Sequence, residues 1–314
     1  MKKYAFIFSG QGSQKTGMGF DLIENSDAAK KVFEVADSVL CRSISELCFN
    51  GSEEDLAKTI NSQPCILAVE IALFEALKEK CNIEFVATAG HSLGEYAALY
   101  ASGVIDLKTA FLLISKRAEL MNEIAVKSNG SMAAVLGLDD DSVKRLTDEI
   151  DNVYVANYNC PGQVVITGDK DSINNSIDKF KVAGAKKVIP LAVSGAFHSP
   201  YMEEANKLFD DYVKQFVLNN ANVPVYTNVD AIATTMATDF AVKMPKQINS
   251  SVLWSNSIRN MIKDGVTDFI ELSPKSVVAG MNKKISTEVN TYSVTDLNSL
   301  NSLVSELQKE KELV

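Results

Sequence analysis

Short apolar runs alternate along this chain with longer stretches whose apolar positions recur every three or four residues. Runs at 4–8, 85–89, 223–229, 267–272 and 291–294 have the length of buried strands. Between them the helical period predicts helices from about Asp27, from Ser62 to Lys80, from the glycine at 94 to Gly103, and from Asp106 to about Asn122. Ser62 reads as the N-cap of the second of these, with Pro64 in its first turn. Further helices are predicted over 200–216, over 251–263 with the single tryptophan Trp254, after Pro274-Lys275-Ser276, and over 297–311. Strands alternating with helices predict an α/β fold whose sheet is mostly parallel and covered on both faces.

The pattern changes between 128 and 194. It reads strand 131–137, helix 140–150, strand 153–157, strand 163–167, helix 171–183 and strand 186–193. The order βαββαβ is the ferredoxin-like, split βαβ arrangement. We therefore expect a large domain made of 1–127 and 195–314, interrupted by a small inserted domain at 128–194. No internal repeat or low-complexity tract is visible.

Composition narrows the function classes. The chain has 314 residues and a net charge of −9 from 31 basic and 40 acidic side chains, which disfavours general nucleic-acid binding. Its five cysteines form no C-x-x-C pair and have no histidine at ligand spacing, so reduced thiols and no metal centre are expected. Met1-Lys2-Lys3 is followed by only a short apolar run, and no stretch approaches the roughly 20 apolar residues of a membrane span. A soluble cytoplasmic protein is the expectation.

The chemistry concentrates at Gly90-His91-Ser92-Leu93-Gly94, between a predicted strand and a predicted helix. G-x-S-x-G in that setting is a nucleophile elbow. Glycines on both sides let strand and helix crowd around a sharp bend, which presents the Ser92 hydroxyl at a helix N-terminus. Serine needs a base to take its proton. The chain has only two histidines, and His91 adjoins Ser92 on a bend that turns it away. If a histidine is the base, it is His198. The oxyanion of the reaction needs donors; the N–H of Leu93, next after the nucleophile, is one. The loop Ser9-Gly10-Gln11-Gly12-Ser13-Gln14, after the first strand, could place Gln11 as the other or be a simple glycine-rich turn. It lacks the third glycine of a dinucleotide fingerprint, since Lys15 stands there. Arg117 interrupts an apolar helix face and either pairs with an internal acid or awaits an anionic ligand. No acid is spaced to complete a Ser-His-Asp set, so a backbone carbonyl or an amide could orient His198 instead.

These residues together resemble the malonyl-CoA:acyl-carrier-protein transacylases of type II fatty acid synthesis. The resemblance rests on residues 9–14 with Gly17-Met18-Gly19, on Gly90-His91-Ser92-Leu93-Gly94-Glu95, on Lys116-Arg117-Ala118, on Asn157-x-Asn159-x-Pro161-Gly162-Gln163-Val164-Val165, and on Ala196-Phe197-His198. Gln247 lies where the family has a glutamine near its histidine. The match runs in family order from about 6 to 285. One departure is the Leu272-Ser273-Pro274-Lys275-Ser276 stretch, where the family often has a Gly-Pro-Gly turn.

The resemblance implies an α/β-hydrolase-like core with a ferredoxin-like insert. It implies Ser92 and His198 as the catalytic pair, Gln11 and Leu93 as oxyanion donors, Arg117 as the ligand of the malonyl carboxylate, and Gln247 and Asn159 as supporting residues. No cofactor is implied, because the coenzyme A thioester is a substrate. Malonyl-CoA and an acyl carrier protein are the implied partners; a monomer is expected, with no nucleic acid and no membrane. Acyl carrier proteins are typically acidic, as is this chain, so docking would need a local basic patch. Lys181, Lys186 and Lys187 on the insert are candidates, or else a solvated face. An acyltransferase of a polyketide pathway is the nearest alternative. A serine esterase would have no use for Arg117, and a non-catalytic carrier-binding protein would tolerate loss of the Ser92 hydroxyl.

Overall fold

The computed structural model describes residues 2–193 and 195–312. Two sheets organise them. The larger has six strands in the order β10 (Asn290–Val294), β9 (Asp268–Leu272), β1 (Tyr4–Phe8), β2 (Phe85–Gly90), β7 (Val225–Tyr226), β8 (Ala233–Thr234). Every pairing is parallel except that of the edge strand β8 with β7. β1 lies near the middle, and its side chains alternate between two cores. Phe6 and Phe8 join the cluster around the helix Thr59–Lys80; Ala5 and Ile7 join a second one around Trp254. This two-sided burial is why the run 4–8 is apolar throughout.

The smaller sheet is antiparallel, in the order β4 (Val153–Cys160), β5 (Gln163–Asp169), β3 (Gly130–Leu136), β6 (Lys187–Pro190). With the helices Asp140–Asp148 and Lys170–Val182 it has the ferredoxin-like element order and strand order. Its core of Val135, Val143, Val164, Ile166, Ile173 and Phe180 is separate from the others. Ser194, where the sequence sets the end of the insert, lies outside the described residues. The loop before Trp254 is bonded to the small sheet by main chain: Val252 N donates to Ala156 O at 2.8 Å, and Tyr158 N donates to Val252 O at 2.9 Å. Ser251 Oγ adds a bond to Val155 O at 2.6 Å.

Several sequence expectations are corrected. The helix expected to start after Ser62 begins at Thr59, and Pro64 lies inside it. The proline has no N–H for the carbonyl of Ile60, one turn back, and that carbonyl instead accepts from Arg42 Nη1 at 3.3 Å. Every residue from 61 to 74 is buried, so packing on all sides overrides the local start signal. It is long and apolar enough to cross a membrane, yet it sits inside this core. The helix expected to stop near Asn122 runs to Lys127. The helix expected over 251–263 begins at Trp254, because residues 251 and 252 are used to tie the loop to β4. The strand expected over 223–229 shrinks to Val225–Tyr226, and an unexpected helix, Ala237–Lys246, follows β8. The helix expected over 200–216 is a 3-10 turn, Pro200–Met202, running into Glu203–Val213.

Candidate active site

β1 and β2 run side by side, with Phe8 paired to Gly90. Whatever follows them therefore emerges together at the carboxyl edge of the sheet, where ligands of open α/β sheets bind. After β1 comes the loop that carries Gln11; after β2 comes the elbow. His91 N donates to Phe8 O at 2.9 Å and closes the seam. The elbow turns into a 3-10 turn, Ser92–Gly94, and then the helix Glu95–Ala101. Glycine is required at both positions. A Cβ on Gly90 would stand 1.9 Å from Gly94 C, and one on Gly94 would stand 2.3 Å from Ser9 O.

Ser92 is held at φ 53° and His198 at φ 57°, both in the left-handed region. Such conformations cost about 1–3 kcal/mol each and persist only where surrounding contacts enforce them. Here they aim two side chains at each other: Ser92 Oγ lies 2.8 Å from His198 Nε2. His198 Nδ1 faces two main-chain carbonyls, Gln247 O at 3.0 Å and Ser250 O at 3.2 Å. Carbonyls only accept, so the proton sits on Nδ1 and the Nε2 lone pair is left for the serine. No carboxylate is involved. Burial pushes the His198 pKa down to about 3, with the Arg117 charge adding to the effect, so the ring is neutral at pH 7.

Arg117 is buried, and no carboxylate among the described residues lies within 4 Å of it. Neutral amide oxygens hold the guanidinium instead. Nη1 donates to Gln63 Oε1 at 2.6 Å, and Nη2 donates to Gln247 Oε1 at 2.8 Å and to Ser92 Oγ at 3.0 Å. Of the two roles open to Arg117, the internal ion pair is thus absent. A buried cation without a counter-ion is costly, and this one faces the nucleophile.

Gln247, in the 3-10 turn Gln247–Asn249, touches every working part. Its Oε1 receives Arg117, its Nε2 donates to Ser92 O at 2.8 Å, and its main-chain carbonyl receives His198. Asn159 sits elsewhere: its Oδ1 accepts from His91 Nε2 at 2.8 Å, while the His91 ring packs against Trp254. It ties β4 to the elbow without reaching Ser92. Gln11 and Leu93 both line the cavity that opens over Ser92, together with Met121, Met132 and Phe197. The cavity measures about 330 Å³, and the small sheet and the segment 191–193 form part of its wall. Its lining contains no carboxylate. Among the described residues no group of three or more His, Cys, Asp or Glu is placed to hold a metal ion.

Three side chains of the site were missed in the sequence. Gln63 was read only as part of a helix start, and in Asn61-Ser62-Gln63-Pro64 nothing local sets it apart from its polar neighbours. Asn228 lay in a presumed strand. Glu95 is fully buried; burial raises its pKa to about 7, and its Oε2 accepts from Asn228 N at 2.6 Å.

A serine hydroxyl hydrogen-bonded to a neutral histidine, with a buried cation beside it at one cavity, is an arrangement that can carry out acyl transfer on an acidic acyl group. The sequence profile of the acyl transferase domain matches residues 5–313. The chain belongs to the acyl transferase family. It is 40% identical over 316 residues to the malonyl CoA-acyl carrier protein transacylase of Bacillus subtilis, covering 99% of each chain. The solved malonyl CoA-acyl carrier protein transacylase of Clostridium perfringens superposes with a TM-score of 0.93 at 34% identity over 99% of both chains. The same TM-score and identity relate it to a chain from a complex of a type II PKS acyl-carrier protein with its malonyl-transacylase, with 97% of this chain and 100% of that one covered. The resemblance read from the motifs is borne out, and the enzyme is an acyltransferase with the α/β-hydrolase-like core and small antiparallel sheet expected of it.

Proposed function

We propose that this acyl transferase moves the malonyl group from malonyl-CoA to the phosphopantetheine thiol of an acyl carrier protein by way of malonyl-Ser92. His198 Nε2 takes the Ser92 proton as Oγ attacks the thioester carbonyl. The Leu93 and Gln11 N–H groups receive the oxyanion; a donor of this kind contributes roughly 10²–10³ in rate. The C–S bond breaks, the thiolate leaves with the His198 proton as coenzyme A thiol, and the serine ester remains. The carrier thiol then gives its proton to His198 and attacks the ester, and Ser92 recovers the proton as it leaves. The cycle is ping-pong and uses no cofactor.

One observation carries the malonyl assignment: the buried Arg117, with no carboxylate in contact with it, donates to the atom that becomes acylated. A malonyl ester on Ser92 carries its carboxylate one methylene beyond the ester carbonyl, which keeps it beside that guanidinium. An acetyl ester leaves the cation unmatched. The test is to mix the enzyme with malonyl-, acetyl- and methylmalonyl-CoA and weigh the intact protein. Malonyl mass on native enzyme and none on Ser92→Ala is the expected result; no adduct from malonyl-CoA would end the reading.

For the carrier, Lys181, Lys186 and Lys187 are exposed on the small domain of 128–194, and Lys181 is already paired to Asp178 at 3.2 Å. We place the acidic carrier against this face. The type II PKS complex favours a second reading, in which the same chemistry loads a polyketide carrier. Transfer rates to purified fatty-acid and polyketide carriers decide between them.

A further inference from the structure

β2 and β7 are paired in parallel for only two residues, Thr88 with Val225 and Ala89 with Tyr226. Continued past the end of β7, that register sets Asn228 opposite His91. In a parallel ladder a residue donates to the carbonyl before its partner and accepts from the N–H after it. Asn228 does both with its side chain. Its Nδ2 donates to Gly90 O at 2.6 Å, and its Oδ1 accepts from Ser92 N at 2.7 Å. Its own main chain has already left the ladder: Asn228 N goes to Glu95 Oε2 at 2.6 Å, and Asn228 O accepts from Leu253 N at 2.9 Å. The residue is completely buried.

We propose that Asn228 is a positioning residue whose carboxamide replaces a missing strand peptide and clamps the elbow on both sides of His91, keeping Ser92 aimed at His198. This clamp deepens the acyl-transfer reading and rests on it only for the choice of thioester. A short amide reaches the same two groups while the chain turns away. The strained φ of Ser92 supplies the need. Without the clamp, the residue relaxes and Oγ drifts from His198 Nε2, and an ångström of misplacement can cost about a hundredfold in rate.

Asn228→Asp tests the two-bond role. An ionised carboxylate accepts from Ser92 N but opposes the Gly90 carbonyl. A protonated one donates and accepts as the amide does. Glu95, Asp230, Arg117, His91 and His198 are the charged or titrating groups facing this region. Each is present in native enzyme, so the readout is the ratio of variant to native rate. Two rates are measured at pH 5.5 and 8: Ser92 acylation by malonyl-CoA, and Ser92 labelling by a fluorophosphonate, which needs an activated serine but no malonyl group. We expect Asn228→Asp to be at least tenfold slow at pH 8 in both, with the ratio recovering at pH 5.5. Asn228→Ala, which buries no charge, should be at least tenfold slow at both pH values, with the KM for malonyl-CoA within twofold of native. An Asn228→Ala enzyme that labels at the native rate would overturn the proposal, as would an Asn228→Asp enzyme that is slow at pH 8 and no faster relative to native at pH 5.5. Native enzyme that takes the fluorophosphonate but not malonyl would sink the substrate reading and leave the clamp standing.

Discussion

Arg117 Nη2 stands 3.0 Å from Ser92 Oγ, so the cation proposed to read the substrate touches the hydroxyl proposed to attack it. The contact has two consequences. The Arg117 charge adds to the burial that lowers the basicity of His198, and the contact gives a carboxylate on the acylated serine a partner already in place, fixed by Gln63 and Gln247. Preorganised in this way, the guanidinium gains its counter-ion without moving far.

Arg117→Ala should therefore lower kcat/KM for malonyl-CoA far more than for acetyl-CoA. A charge-assisted hydrogen bond contributes about 1.5–3 kcal/mol, which corresponds to roughly ten- to a hundredfold. Steady-state kinetics with both thioesters measure the change. A variant that keeps its malonyl preference would show that Arg117 does not select the substrate.

The pH profile follows from His198. The base must be neutral to act, and its pKa is pushed down to about 3 by burial and by Arg117. In native enzyme, protonation of the base should not limit Ser92 acylation between pH 8 and 5, where an ordinary histidine would bend the profile near 6.5. Quenched-flow acylation followed by mass measurement gives the profile. In an Asn or Gln variant at Glu95, which removes the other group titrating in this range, a bend that remains near 6.5 would contradict the assignment.

Glu95 should act on stability. Its folded pKa of about 7 is raised by burial above the unfolded value of about 4.5. The folded state thus holds the proton more tightly, and the stabilisation is lost as pH rises from 4.5 through 7. Glu95→Gln stays neutral throughout. It should gain up to about 3 kcal/mol over native at pH 8, at about 1.4 kcal/mol per pKa unit, and gain little at pH 5. Denaturant melts at the two pH values provide the comparison; an equal effect at both would refute the raised pKa.

Gly90→Ala places its Cβ 1.9 Å from the main chain of Gly94. Backbone cannot rotate aside as a side chain can. Overpacking of this kind costs about 1–3 kcal/mol or more, so we expect a melting temperature several degrees lower and loss of Ser92 acylation. A fully active, equally stable variant would mean that strand and helix are not crowded at the elbow.

Reversing Lys181, Lys186 and Lys187 to glutamate should raise the KM for the acyl carrier protein several-fold and leave that for malonyl-CoA unchanged. The effect should shrink as salt is added, because exposed charges are screened over about 10 Å at 0.1 M. An unchanged carrier KM would remove this face from the docking surface.

The elbow was legible in the sequence because its requirement is local: two glycines, one serine, an apolar strand before and a helix after. His198 was legible for a different reason, the scarcity of histidine, which made elimination possible. Pro64 misled because a helix-start signal reports only the chain nearby, whereas burial from 61 to 74 extended the helix through the proline. Gln63 and Asn228 had no local mark of function. Each is an ordinary amide whose meaning comes from what stands opposite.

The order of apolar and polar positions was enough to specify two sheets, most of their strands and helices and the sharp bend at Ser92, since strand alternation, helical period and glycine sterics act within a few residues. The register of β2 against β7, the carbonyls that replace an acid behind His198, and the absence of a counter-ion for Arg117 were decided only when distant segments packed. Hydrogen bonds spanning more than a hundred residues depend on where the whole sheet sets its edges, and no short stretch of chain contains that information.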